Sequence, residues 1–282
     1  MKTLLIVTDF SPSATHAALY VCTIAEQLGV EKIVLYHSFN KRHTTEIIIV
    51  DDFLVPVPDD LKDIQENALK ELDNLRSVML SQFSLKVEIL PVTNGLPLIS
   101  GIKEIIDKHG IDMVVAGLYG SYAKEKNVVG RNTVALIGEQ AFPLMLVPET
   151  AAISEVNQIM FACDLRYIGD NTPLEQLIDI VQTFGTNLHV VNVDYEETGL
   201  INHLMETETL LHETFKNLNA QFHYLRSKDV ISSLREYSIK CKIDIIIAVP
   251  RKLGFLQRLF HESATKKIAI NTTVPLIILH NH

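Results

Sequence analysis

The chain has 282 residues, 47% of them hydrophobic and 21% charged, which fits a packed globular protein of one large or two ordinary domains and argues against disorder. Its net charge of −9 argues against nucleic acid or an acidic membrane as the main partner, since both need a concentrated basic face. Small ligands and proteins are the partners this balance favours. No apolar run reaches the roughly eighteen residues needed to span a bilayer. Met1-Lys2-Thr3 leads straight into Leu4-Leu5-Ile6-Val7 without a signal-peptide layout, so a cytoplasmic location is expected. Cys22, Cys163 and Cys241 share no metal-like spacing and read as buried free thiols.

In chain order, Leu4 to Thr8 is a short apolar run of the kind found in a sheet covered on both faces, and it ends at Asp9. Ser11-Pro12 supplies an N-cap with proline at the first helical position. Ala14, Ala17, Ala18, Val21, Cys22, Ala25 and Leu28 then mark one helical face, closed by Gly29. Ile33 to His37 is the second strand. The segment from Asn40 to Pro58 mixes charges with Ile47-Ile48-Ile49-Val50 and two prolines, and reads as an insertion or lid. Leu61, Ile64, Ala68, Leu69, Leu72, Leu75 and Met79 recur at helical spacing, so a long amphipathic helix is predicted over 59–82. A third strand is predicted over 85–90 and a helix from Pro97 to about Lys108, closed by Gly110. Met113-Val114-Val115-Ala116-Gly117 is the fourth strand. It opens a glycine loop in which Gly117, Gly120 and Gly130 have the spacing G-x2-G-x9-G, followed by a helix over 132–140 and a last strand over 143–147.

Strand and helix alternating in this way predict a mostly parallel sheet with right-handed crossovers, which binds ligands beyond the carboxyl ends of its strands. Asp9, Ser38 and Gly117 all fall at such ends. The glycine loop has the composition of a phosphate loop, because glycine lets backbone N–H groups approach an anion and the helix start beyond Gly130 adds unpaired donors. A glycine-relieved turn between strand and helix has the same composition, so context decides.

The second half repeats the first. Ile111-Asp112-Met113-Val114-Val115-Ala116 aligns with Ile243-Asp244-Ile245-Ile246-Ile247-Ala248 at an offset of 132 residues, as does Pro143 with Pro275. Upstream the offset is 155, carrying Asp9 to Asp164 and His37 to Asn192. The first half therefore has extra residues between its second and fourth strands, most of them in the lid-like segment. Thr172-Pro173 is expected to reproduce the first helix cap, with Gly185 closing that helix. Two domains are expected, 1–150 and 151–282, joined near 149–156.

Val7-Thr8-Asp9-Phe10-Ser11, Leu35-Tyr36-His37, Ile111 to Gly117 and the glycine loop together resemble the universal stress protein family, as a tandem of two such domains covering the whole chain. The resemblance implies an α/β fold of two five-stranded parallel sheets, Rossmann-like, with helices on both faces. The halves would be related by a pseudo-two-fold axis, an intramolecular pseudo-dimer meeting through residues 143–147 and 275–280, with homo-oligomers a further option. Two separate sheets are expected. In ATP-binding members the fourth-strand loop holds phosphates and the first two strand ends surround adenosine. Carried over by position, this implies ATP, with Mg²⁺, bound by Thr8, Asp9 and Ser38 at the nucleoside. Ala116, Gly117, Gly120, Gly130, Arg131, Asn132 and Thr133 would lie at the phosphates.

Arg131 departs from the family pattern, which places a serine or threonine after the third glycine. Its guanidinium can clamp a phosphate, fill the pocket or point to water, and Thr133 can supply the missing hydroxyl. In the second half Gly117, Gly120 and Gly130 become Val249, Lys252 and Glu262, so bulk and charge oppose triphosphate there. The basic residues Arg251, Lys252, Arg258, His261, Lys266 and Lys267 in that region read as a solvated loop or a surface for an unknown protein partner. His280 and His282 read as an exposed terminus rather than a metal site. No Walker loop, dinucleotide fingerprint or hydrolase elbow occurs. Asp9 can ligate Mg²⁺ or act as a base, but an aspartate at a strand end more often bonds a loop or a ribose hydroxyl. Cys163 lacks a partner base. The expectation is a non-catalytic or weakly hydrolytic nucleotide-binding stress protein, its alternative a scaffold acting through protein contacts.

Overall fold

The computed structural model describes residues 1–39, 46–50, 53–57, 61–83, 86–118, 131–139, 141–165, 168–169, 172–194, 201–249 and 272–280. The first half runs β1 (Thr3–Val7), α1 (Pro12–Ile24), β2 (Lys32–Ser38), β3 (Glu46–Val50), β4 (Phe53–Val57), α2 (Leu61–Gln82), β5 (Glu88–Asn94), α3 (Leu98–His109), β6 (Met113–Gly117), α4 (Arg131–Gly138) and β7 (Leu144–Val147). The second runs β8 (Gln158–Cys163), α5 (Leu174–Phe184), β9 (Asn187–Asp194), α6 (Ile201–Thr214), β10 (Ala220–Arg226), α7 (Val230–Lys240), β11 (Ile245–Ala248) and β12 (Leu276–Ile278).

Each half lays down five parallel strands, as its alternating pattern requires, but the two sets are not separate sheets. They form one ten-stranded sheet in the order β10-β9-β8-β11-β12-β7-β6-β1-β2-β5, which corrects the expectation of two. The reason lies in the last strands. β12 and β7 pair antiparallel, with Leu276 opposite Leu146, Ile277 opposite Met145 and Ile278 opposite Leu144. At the 132-residue offset Met145 and Ile277 are equivalent positions, so two equivalent residues face one another, the register a two-fold axis through that pair imposes.

The repeat extends to individual hydrogen bonds. The Asp112 carboxylate accepts the backbone N–H groups of Lys2 at 2.6 Å and Thr3 at 2.9 Å, fastening the start of β1 to the approach of β6. Asp244 accepts those of Asn157 at 2.7 Å and Gln158 at 2.9 Å, at the equivalent places on β8 and β11. The aspartate of each Ile-Asp motif is thus a clamp at the amino edge of the sheet, at the other end of the strands from their carboxyl edge.

Strand residues alternate between two covered faces. Leu4, Ile6, Met113 and Val115 pack with α1 and α2, while Leu5, Val7, Val114 and Ala116 pack with α3 and α4. The core on the α1 face is continuous across both halves and takes in Phe161, Leu177, Val190 and Phe215; the opposite face is split in two. The connecting segment is held to α1. Gln27 donates from Nε2 to the Val156 carbonyl at 3.0 Å and accepts the Val156 N–H at 2.9 Å, and His16 Nε2 lies 2.9 Å from the Ala151 carbonyl.

Local expectations fare unevenly. Ser11 caps α1, accepting the Ala14 N–H at 3.2 Å, and Gly110 and Gly185 close their helices with φ of 63° and 65°. Thr172 does not cap α5. Its hydroxyl accepts the Gly169 N–H instead, and the helix begins at Leu174 with Pro173 before it. The strand expected over 85–90 is β5 at 88–94, which keeps Pro91 because it pairs with β2 alone at the sheet edge. His280 is buried rather than exposed, since it follows β12 at the centre of the sheet. The lid-like segment contains an antiparallel two-stranded sheet of its own, β3 with β4. All three cysteines are free, Cys22 buried and the others half-buried.

Candidate functional site

The carboxyl ends of β1, β2, β5 and β6 converge at one edge of the first half. After β1 the backbone turns sharply, with the Thr8 hydroxyl accepting the Phe10 N–H at 3.0 Å and Asp9 Oδ1 accepting the Ser11 N–H at 3.1 Å. Phe10 has φ of 61°, a left-handed conformation that costs a bulky residue energy and is held here by its surroundings. Its ring lies on His37, centroids 4.5 Å apart. His37 Nδ1 in turn sits 2.8 Å from the Thr8 carbonyl, so the imidazole at the end of β2 tethers the loop after β1.

Ser38, expected at the nucleoside, ends β2 and donates its hydroxyl to the Leu96 carbonyl at 2.7 Å. That bond ties β2 to the β5–α3 connection. Tyr36 reinforces it, donating to Asn94 Oδ1 at 2.8 Å, while Asn94 Oδ1 also accepts the Leu96 N–H at 3.2 Å. Gly101 makes the room, since a Cβ there would lie 1.9 Å from the Tyr36 hydroxyl oxygen. Burial pushes the Tyr36 phenol above its ordinary range.

Gly117 closes β6 beside this group. A Cβ on it would stand 2.7 Å from the backbone of Ser13, so the missing side chain is what lets the first turn of α1 press against the strand end. Thr133, in the first turn of α4, is buried and donates its hydroxyl to the Gly117 carbonyl at 3.5 Å. Ala116 is buried and Asn132 exposed. Thr8, Asp9, Ser38, Ala116, Gly117, Asn132 and Thr133 are therefore brought to one edge by three strand ends and one helix start. Gly120, Gly130 and the side chain of Arg131 lie outside the described residues. Phe10, His37, Ser13 and Leu96 complete the group. Sequence assigned them no role, although the aromatic-rich strand ends Thr8-Asp9-Phe10 and Tyr36-His37 were its visible sign.

The equivalent edge of the second half keeps the tether and loses the glycine. Asn192 Nδ2 donates to the Cys163 carbonyl at 3.2 Å, at the positions of His37 and Thr8. Val249 stands where Gly117 does and packs against the core. Burial, with the Asp164 carboxylate beside it, pushes the Cys163 thiol up to about 12, which opposes a nucleophilic thiolate. Among the described residues no group of three or more His, Cys, Asp or Glu is placed to hold a metal, and no helix is long and apolar enough to cross a membrane.

No protein-family model matches the chain, and no curated protein matches it in sequence. Solved structures do. A universal stress protein from Archaeoglobus fulgidus DSM 4304 superposes with a TM-score of 0.68 at 15% identity, over 99% of this chain and 98% of that one. A protein from Pseudomonas aeruginosa UCBPP-PA14, provisionally named a universal stress protein, gives 0.57 at 10% identity over 100% and 94%. The cytoplasmic domain of a prokaryotic cation chloride cotransporter gives 0.55 at 10% identity over 98% and 94%. The chain has the fold of the universal stress proteins, in a form whose two repeats share one sheet.

Proposed function

We propose that this protein is a tandem universal stress protein that binds adenine nucleotide, ATP with Mg²⁺, at the carboxyl edge of its first half, without catalysis or with weak hydrolysis only. The observation that carries the reading is the convergence of Thr8, Asp9, Ser38 and Gly117 with the first turn of α4 at that edge, with Gly120 and Gly130 in the connecting sequence. The nucleoside would lie against the β1 and β2 ends, with Asp9 toward the ribose. The phosphates would lie toward backbone N–H groups between Gly117 and Thr133, where the dipole of α4 favours an anion. Thr133 spends its hydroxyl on Gly117, which leaves Arg131 as the side chain that would supply charge.

The second half, with Val249, Lys252 and Glu262 at the glycine positions, binds no triphosphate in this reading and serves regulation or protein contact. A protein whose partners are other proteins alone is the competing reading, and the fold's occurrence as the cytoplasmic domain of a transporter favours it. Calorimetry with ATP separates the two. One site per chain is expected, abolished by Gly120→Glu, which adds bulk and charge at the phosphate position, and retained in Lys252→Glu. Two equivalent sites, or none in the unmodified protein freed of copurified nucleotide, would overturn the proposal.

A further inference from the structure

The insertion peculiar to the first half forms a hairpin that stands apart from the ten-stranded sheet; among the described residues β3 pairs with β4 and with no other strand. A two-stranded ribbon is marginal by itself in water. This one is built from Glu46-Ile47-Ile48-Ile49-Val50 and Phe53-Leu54-Val55-Pro56-Val57, where β-branched and aromatic residues favour extended chain and Glu46 carries the single charge.

Its register fixes which backbone groups remain free. Val50 and Phe53 are ladder partners with two residues between them, so they exchange backbone hydrogen bonds directly. Alternation makes Ile48–Val55 and Glu46–Val57 bonded pairs as well, while Ile49–Leu54 and Ile47–Pro56 turn their N–H and C=O groups outward. On β4 the outward positions are Leu54 and Pro56, and proline has no N–H to offer, so that edge keeps a single outward donor and is blunted. On β3 the outward positions are Ile47 and Ile49, both intact. Among the described residues the hairpin thus has one blunted edge and one open edge.

We infer that the open edge of β3 pairs antiparallel with β3 of a second copy of this chain, joining two hairpins into a four-stranded sheet about a two-fold axis at Ile48. In that register Ile47 stands opposite Ile49 of the second copy, and the outward groups at both positions bond reciprocally. Glu46 falls opposite Val50 of the second copy, so the two carboxylates sit at opposite ends and no like charges meet. The blunted β4 edges then lie on the outside of the new sheet. Pairing stops at two copies instead of propagating, which is what an apolar run such as Ile47–Val50 would do if both edges were open. The chain already uses antiparallel pairing of equivalent residues at its β7–β12 junction. The inference does not depend on nucleotide binding.

Sedimentation of the full chain across a range of concentrations is expected to show a dimer. Ile47→Pro and Ile49→Pro each remove an outward N–H and leave the β3–β4 bonds in place, and should weaken the dimer by about a hundredfold or more. Ile48→Cys places two thiols across the axis at a non-bonded pair, close enough for a disulfide, and should cross-link under mild oxidation. Glu46→Cys, whose two copies fall at opposite ends, should not. A monomer at every concentration would overturn the inference and leave the edge to another protein's strand. So would proline variants that remain dimeric, or cross-linking at 46 as efficient as at 48.

Discussion

The two halves of this molecule share a framework to the level of single hydrogen bonds and, the β3–β4 insertion aside, part company at two places. Asp112 and Asp244 clamp equivalent strand starts, and His37 and Asn192 tether equivalent loops. At the carboxyl edge, however, glycine faces valine. Gly117 admits the first turn of α1, whereas behind Val249 helix α5 begins at Leu174, seven residues later than the offset from Pro12 would place it. The second difference is in the core. The first half has Val34 and Ile105 where the second has His189 and Tyr237. What is common to both halves serves the fold, and what differs marks where each half does something of its own.

The glycine–valine contrast predicts the largest effect. Gly117→Val forces a side chain into the backbone of Ser13 and should lower stability by about 3 kcal/mol, the upper range for overpacking. Val249→Gly should cost about 1 kcal/mol, for lost packing and added chain freedom. Chemical denaturation of both variants measures the difference, and equal losses would dissolve the contrast. Arg131 comes next. If its guanidinium is the charge the first half supplies to phosphate, Arg131→Ser weakens ATP by roughly ten- to a hundredfold and AMP much less, as expected of one charge-assisted bond. A side chain that plugs the pocket gives the opposite sign, and an unchanged affinity returns Arg131 to the surface.

The clamps should behave alike. Asp112→Ala and Asp244→Ala each remove an acceptor from two backbone N–H groups at an exposed site where water can replace it, so about 1 to 2 kcal/mol is expected from each. A large inequality in denaturant midpoints would show that the halves do not carry the sheet equally.

The core contrast predicts the smallest effect. His189 lies 2.8 Å from the Tyr237 hydroxyl through Nδ1 and 2.8 Å from Gln158 Oε1 through Nε2, and stacks on His223 with centroids 5.6 Å apart. Since Oε1 only accepts, Nε2 carries the proton and Tyr237 donates to Nδ1, an arrangement that needs neutral imidazole. Burial, then the neighbouring His223, holds His189 below the ordinary 6.5; burial, then Lys240, does the same for His223. Both folded pKa values are depressed, so the unfolded chain binds more protons in acid. Stability from this pair is full above about 6.5 and is lost as pH falls from there through the folded values. Hydrogen exchange at pH 7.5 and 5.5 should show α7, β9 and β10 losing protection before α3, β2 and β5. His189→Val, which copies the first half, should flatten the dependence.

The mostly parallel sheet and the repeat were legible in the sequence because unbroken apolar runs and amphipathic helices report burial directly, and the meeting of the last strands followed from the family resemblance. The continuity of the sheet was not, since whether two edges fuse depends on the register of Met145 against Ile277, and that register carries no composition. Thr172-Pro173 has the residues of a cap but not its geometry, because a hydroxyl serves whichever N–H is nearest, here that of Gly169. Strand ends Thr8, Asp9, Ser38 and Gly117 were placed correctly at the edge. The stack of Phe10 on His37 was hidden, because a left-handed backbone at a phenylalanine runs against its own preference and is imposed by tertiary packing.

The β7–β12 junction joins the halves through three ladder pairs, beside the core that runs across both halves on the α1 face. Within one chain the covalent connection keeps each half at an effective concentration on the order of millimolar near the other. Fusion therefore relieves each half of the duty to recognise its twin from solution. Separate chains meeting about a two-fold axis must also be identical, so any change at a binding edge appears twice. Here Val249 can stand at the position of a glycine without altering Gly117, and one molecule carries a glycine-bearing edge and a valine-bearing one that open in opposite directions.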